Sequence, residues 1–179
     1  MTREKNVARG RRAKAAGDSA EAFWEAQHQM AVILKILVHW MHNQPGVKHV
    51  HGKIIYAEKS ASDYTGTRAD GRSHCAESKS VLDGRLLRSA VKPRQAAQLD
   101  AVARAGGRAY LLVEFRSRDA LPIRAAIPWL DVPWRTLRSA ESIGVEDVAE
   151  YAVRPNECYL RPGVVAPVVI SPQRRYPRE

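Results

Sequence analysis

The chain has 179 residues, with 29 Lys and Arg against 19 Asp and Glu, a formal net charge of +10 and a pI near 10.0. Its 45% hydrophobic and 27% charged residues suit one folded core and exclude a disordered polymer, while the basic balance points to a polyanionic partner. Its two cysteines, Cys75 and Cys158, form no C-x-x-C pair, which excludes a disulfide scaffold and a cysteine zinc site and fits a reducing cytoplasm.

Residues 1–16 carry Arg3, Lys5, Arg9, Arg11, Arg12 and Lys14 among small residues and read as a flexible basic arm able to touch phosphates. The arm lacks the apolar stretch of a signal peptide. Asp18 followed by Glu21 is a capping-box pattern. It opens an amphipathic helix over 18–42, in which Phe23, Met30, Ile33, Leu34, Leu37, Trp40 and Met41 recur at helical spacing. Asn43, Pro45 and Gly46 end it. The stretch Met30–Met41 is too short for a membrane span and contains Lys35 and His39. Residues 47–59 alternate loosely and suggest extended chain.

Residues 63–68 and 73–80 read as two strands joined by a hairpin at Asp70-Gly71. Residues 81–92 form an irregular connection. Pro93 then opens a helix that runs to Ala105 and is stopped by Gly106-Gly107. Strands follow at 109–115 and 123–127, and a last helix at 145–152. Residues 161–172 are rich in Pro and Val and extended, and 173–179 are basic. The domain plan is an arm (1–16), one domain (17–160) and an extended tail (161–179). The element order gives an α/β fold with a mixed sheet flanked by helices.

Chemistry concentrates at Ser62-Asp63-Tyr64-Thr65-Gly66 and Glu77-Ser78-Lys79. Residues i and i+2 of a strand share a face, so Glu77 and Lys79 project together, and the hairpin brings Asp63 near them. Two carboxylates supply oxygen ligands for a hard divalent cation. A lysine beside them can steady a water or a phosphate. Glu21 is explained by helix capping alone and is also a candidate third carboxylate. Arg68 and Arg72 flank the hairpin, while Arg85, Arg88, Lys92 and Arg94 follow the Glu-x-Lys strand. With Arg9, Arg11, Arg12 and Lys14 of the arm they form a candidate set for DNA phosphates. His39 with His42, and His49 with His51, match zinc spacings only loosely and read as ordinary polar histidines. No P-loop or G-x-S-x-G is present, which excludes the usual routes to ATP hydrolysis and serine chemistry.

These motifs, taken in order, resemble the PD-(D/E)xK nuclease superfamily, and within it the RecU-type Holliday junction resolvases. Gly17-Asp18-Ser19-Ala20-Glu21 resembles the opening helix of that family. Ser62-Asp63-Tyr64-Thr65-Gly66 resembles its S-x-D-Y-x-G turn, and Glu77-Ser78-Lys79 its E-x-K strand. Arg94-Gln95 and the run Gly106-Gly107-Arg108-Ala109-Tyr110 resemble its glutamine-bearing helix and the glycine pair before the next strand. The segment between Lys79 and Gln95 and the region after Val132 depart from the pattern.

The resemblance implies a restriction-endonuclease-like core and a metal-dependent endonuclease that resolves four-way junctions as a homodimer, leaving 5′-phosphate and 3′-hydroxyl ends. It implies Mg²⁺, with Mn²⁺ able to substitute, on Asp63, Glu77 and Glu21. Lys79 and Gln95 complete the catalytic set. Three alternatives stay open at this stage: another endonuclease of the superfamily, of repair or restriction type; a DNA-binding module that keeps the fold without cutting; and a basic ribosome- or RNA-associated protein.

Overall fold

The computed structural model describes residues 3–43, 47–50, 53–56, 62–136 and 140–160, with side chains described over 18–43, 62–136 and 140–160. The 161–179 tail lies outside the described residues. Helix α1 spans Arg3–Ile33, so the segment expected as an arm is continuous with the helix backbone. Its Ala, Arg and Lys content favours that state. Asp18 therefore sits inside the helix and caps nothing.

The helix expected to reach residue 42 stops at Ile33 instead. Lys35 adopts a left-handed backbone (φ 57°). The Ile36 N–H bonds the Ala31 carbonyl at 2.8 Å and the Lys35 N–H bonds Val32 at 2.9 Å. This is a Schellman ending built without glycine. The chain then turns into strand β1, Leu37–His42.

A hairpin of β2 (Val47–Val50) and β3 (Lys53–Tyr56) follows, within the stretch expected to be extended. Strands β4 (Tyr64–Arg68) and β5 (Ser73–Leu82) form the second hairpin. Its turn closes through Gly71 N–H to the Arg68 carbonyl and Arg68 N–H to the Arg72 carbonyl, with Gly71 at φ 78°. The Asp70-Gly71 signal thus marks a three-residue loop with a glycine bulge.

Short strand β6 (Leu86–Leu87) and a 3₁₀ turn lead to α2, Pro93–Arg104. Strands β7 (Arg108–Arg116) and β8 (Ile123–Pro128) come next. Helix α3 is a single turn, Pro133–Thr136, and β9 (Ser142–Ile143) pairs with β6. The helix expected over 145–152 is only a 3₁₀ turn at Ala149–Tyr151. The chain there returns to the sheet instead, where Ala152 bridges Ala125 and the Val153 N–H bonds the Arg124 carbonyl at 2.7 Å.

The main sheet runs β1-β4-β5-β7-β8. Only β5 and β7 pair in parallel, joined through α2; the other pairs are antiparallel. Both faces are covered. On one, Leu99 of α2 packs with Cys75, Leu111, Val113 and Ile127. On the other, Trp24 of α1 packs with Tyr64, Ala76, Leu112 and Ala126. This mixed sheet between helices is the restriction-endonuclease-like α/β architecture. Gly66 makes the β1–β4 contact possible, because a Cβ there would lie 2.5 Å from the His39 carbonyl oxygen.

A polar cluster lies between α1 and the sheet. His28 Nε2, His74 Nε2 and the Tyr159 hydroxyl stand 3.0–3.2 Å apart. Burial pushes His28 down to about 4 and His74 well below its usual range, so both rings stay neutral.

Candidate active site

Glu77 is fully buried on the α2 face of β5, in register with Leu111. Its Oε1 accepts from the Lys79 ammonium two residues along the strand and from the Gln95 amide of α2. Oε2 is buried with no hydrogen-bond partner among the described residues. Burial, then the charge of Asp63, raise the Glu77 carboxyl to about 7, while Lys79 pulls the other way.

Local structure fixes each partner. The Gln95 side chain works at both ends. Its Oε1 accepts the Lys92 N–H at 2.9 Å, closing the open start of α2, and this aims its Nε2 at Glu77. Asp63 sits just before β4, and its Oδ2 accepts the Ser78 N–H at 2.9 Å. Its own carbonyl takes the Asn43 N–H at 2.7 Å, while Asn43 Nδ2 reaches Ser62 O at 3.1 Å. The end of β1 therefore clamps the S-D-Y turn, a role for Asn43 that nothing in the sequence marked.

Glu21 projects from α1 into a cavity of about 110 Å³ that it lines with Asp63, His42, Tyr64, Ser78 and Ser80. It is exposed. Among the described residues no three His, Cys, Asp or Glu side chains converge closely enough to hold a metal ion. Asp63 and Glu77 are a close carboxylate pair, and Glu21 lines the same cavity as Asp63. Its capping-box explanation fails, because α1 begins far upstream.

The basic residues divide. Lys92 and Arg94 are exposed beside Gln95 at the start of α2, and Arg72 and Arg88 are also exposed. Arg68, expected on DNA, points inward. Its Nε and Nη1 are buried, and its charge helps lower His74. Strand alternation puts Arg68 on the Tyr64 face, toward α1. Arg85 is held by Glu146 and, at 2.5 Å, by Asp147. The side chains of Arg9, Arg11, Arg12 and Lys14, and of His49 and His51, lie outside the described residues. His42 is on a strand rather than a helix, with Nδ1 2.8 Å from Glu25.

Sequence reasoning missed the buried Glu114 with Arg116 and Arg124. A charge inside the apolar run 109–115 was the available signal.

Comparison with protein families matches residues 16–153, most of the chain, to Recombination protein U, RecU. The chain belongs to the RecU family. The matched stretch contains Glu21, Asp63, Glu77, Lys79 and Gln95. RecU proteins are Holliday junction resolvases, so four-way junction DNA is the substrate class of the family. No curated protein sequence matches the chain. Among the described residues no helix is long and apolar enough to cross a membrane.

Proposed function

We propose that this RecU chain cuts four-way DNA junctions by divalent-metal-dependent hydrolysis, with Asp63 and Glu77 as the metal-holding pair. The observation that carries the reading is the unequal use of the Glu77 oxygens. Lys79 and Gln95 occupy Oε1, while Oε2 is buried beside a second carboxylate and has no hydrogen-bond partner among the described residues. A buried carboxylate oxygen without a partner is costly, and a cation removes that cost. Mg²⁺ is commonly held by one or two carboxylates plus waters and substrate phosphate, so a pair suffices. When bound, the cation supplies Lewis acidity at the phosphate and a more acidic water.

The remaining roles belong to the chain. Glu77, ionised, anchors the Lys79 ammonium at the edge of the pair, where it can steady the attacking water and the charge that builds on the phosphate. Gln95 holds Glu77 in place, and the Ser78 N–H holds Asp63. Glu21, which lines the same cavity as Asp63, serves as the third carboxylate, reaching the metal directly or through a water. Mn²⁺ substitutes for Mg²⁺, and the products carry 5′-phosphates.

Resolution requires two matched cuts, which a twofold dimer provides. Edge strand β1 exposes Val38 and Met41, and the end of α1 exposes Ile33 and Leu34, an apolar strip suited to a second copy.

A labelled four-way junction and a linear duplex of the same sequence, each with Mg²⁺ or EDTA, test this reading beside Glu77→Gln and Lys79→Ala. Paired, metal-dependent nicks in the junction alone are expected, reduced roughly 100-fold in either variant. Tight binding without cutting in Mg²⁺ or Mn²⁺ would mark a binding module. Equal cutting of duplex would mark a nuclease without junction selectivity.

A further inference from the structure

A second charged cluster sits further along the parallel strands β5 and β7 and has no part in the proposed cleavage chemistry. Glu114 of β7 is 1% exposed. Arg124, opposite it on β8, donates Nε to Oε2 at 2.7 Å and brings Nη2 to 2.7 Å of the same oxygen. The Arg124 guanidinium also lies 4.2 Å over the Phe23 ring. One buried carboxylate is thus neutralised by one guanidinium that is fixed from both sides.

Arg116 is the surplus charge. Its Nε stands 3.7 Å from Glu114 Oε1 and donates to Ser80 Oγ at 2.8 Å. These anchors occupy Nε and leave the two terminal nitrogens without a hydrogen bond among the described residues. The side chain is 24% exposed, beside a cavity of about 270 Å³ that it lines with Ser19, Glu114 and Ser117. Ser80 also lines the cavity of Glu21 and Asp63, so one serine links Arg116 to the cleavage side. Ser78, whose N–H holds Asp63, lies two residues from Ser80 along β5, roughly 6.7 Å, while Arg116 itself is in register with Leu82. A guanidinium anchored at Nε, with its outer fork open, suits bidentate contact with phosphate oxygens.

We propose that Arg116 is a phosphate-positioning residue. Its fork takes a DNA backbone phosphate neighbouring the scissile one and sets the register of the strand on the Asp63–Glu77 pair. This inference rests on the cleavage reading above. The competing explanation makes Arg116 a second counter-ion to Glu114, with no contact to DNA.

The test uses junctions carrying one neutral methylphosphonate, moved in turn through the phosphates around the cut. They are titrated in EDTA against the full-length protein, Arg116→Ala and Arg116→Lys. At one flanking position the unsubstituted protein should lose roughly tenfold in affinity, the scale of a charge-assisted contact. Arg116→Ala should show about that loss on unmodified DNA and no further loss at that one position. It should also lower the salt slope of binding by about 0.9. Arg116→Lys keeps the charge beside Glu114 without the fork, so it should melt like the parent protein and show a reduced penalty at the same position.

The proposal is overturned if Arg116→Ala, or Arg116→Lys should the alanine variant not fold, keeps the full position-by-position penalties of the parent. A lower melting temperature with unchanged DNA affinity overturns it too. If the parent fails to cut unmodified junctions in Mg²⁺ while the coupling persists in EDTA, the cleavage reading falls and the phosphate contact stands.

Discussion

At the scale of single residues, Glu77 must be a carboxylate in surroundings that favour its acid form. Its ordinary value is 4.5, and burial with Asp63 beside it holds it at about 7. In the metal-free protein the folded state therefore binds a proton more tightly than the unfolded state. That contribution to stability is complete below about pH 4.5 and is lost as the pH rises through about 7. Glu77→Gln escapes the loss. Its amide oxygen can still accept from Lys79 and Gln95, and an N–H replaces the orphaned oxygen. We expect metal-free Glu77→Gln to melt several degrees above the parent at pH 8, from roughly 1–2 kcal/mol of relief, with the gap closing by pH 5. Thermal melts in EDTA across that range check it, and parallel curves for the two proteins would refute the buried, charge-opposed Glu77. Cleavage should show the opposite preference, rising with pH through about 7 as the carboxylate ionises, and at lower pH as Mg²⁺ is raised. The same residue would then limit stability and enable activity.

At the scale of elements, the end of α1 shows where sequence reading stops. The apolar spacing from Phe23 to Met41 continues through the break at Lys35, because Leu37 and Trp40 serve the core equally well from a strand. No glycine or proline marks the Schellman turn, and only its backbone bonds to Ala31 and Val32 reveal it. A non-glycine residue at φ 57° carries strain, so Lys35→Gly should stabilise the protein by about 1 kcal/mol, or some 2–4 °C in melting temperature. A lower melting temperature would mean that the Lys35 side chain contributes more than its backbone costs. The grouping of Asp63, Glu77, Lys79 and Gln95 was more legible. Asp70-Gly71 sets the hairpin that lays Asp63 beside Glu77, and Pro93 opens the helix that carries Gln95 to the same carboxylate. Arg68 was misread because a basic residue beside a turn gives no sign of which face its strand buries. The His28–His74–Tyr159 cluster was invisible because Tyr159 lies 131 residues from His28 and meets it only in the finished fold.

For the molecule as a whole, the net charge of +10 and the few proposed phosphate contacts make different predictions, and salt separates them. If binding to the junction comes from the summed field, affinity should fall steeply with salt. A protein neutralising six to ten phosphates loses about 10³–10⁵ in affinity between 50 and 200 mM. The five contacts proposed for one copy, Arg72, Arg88, Lys92, Arg94 and Arg116, fall short of that range, since each contributes about 0.9 to the slope. Two copies on one junction double the count and bring it within reach. We therefore expect a log–log salt slope for the junction that is close to twice the slope for a short duplex able to accommodate a single copy. Fluorescence anisotropy with both ligands, in EDTA so that nothing is cut, gives the two slopes. Equal slopes would mean that a single copy makes every phosphate contact, and the twofold arrangement proposed for paired cutting would have to arise after binding rather than through it.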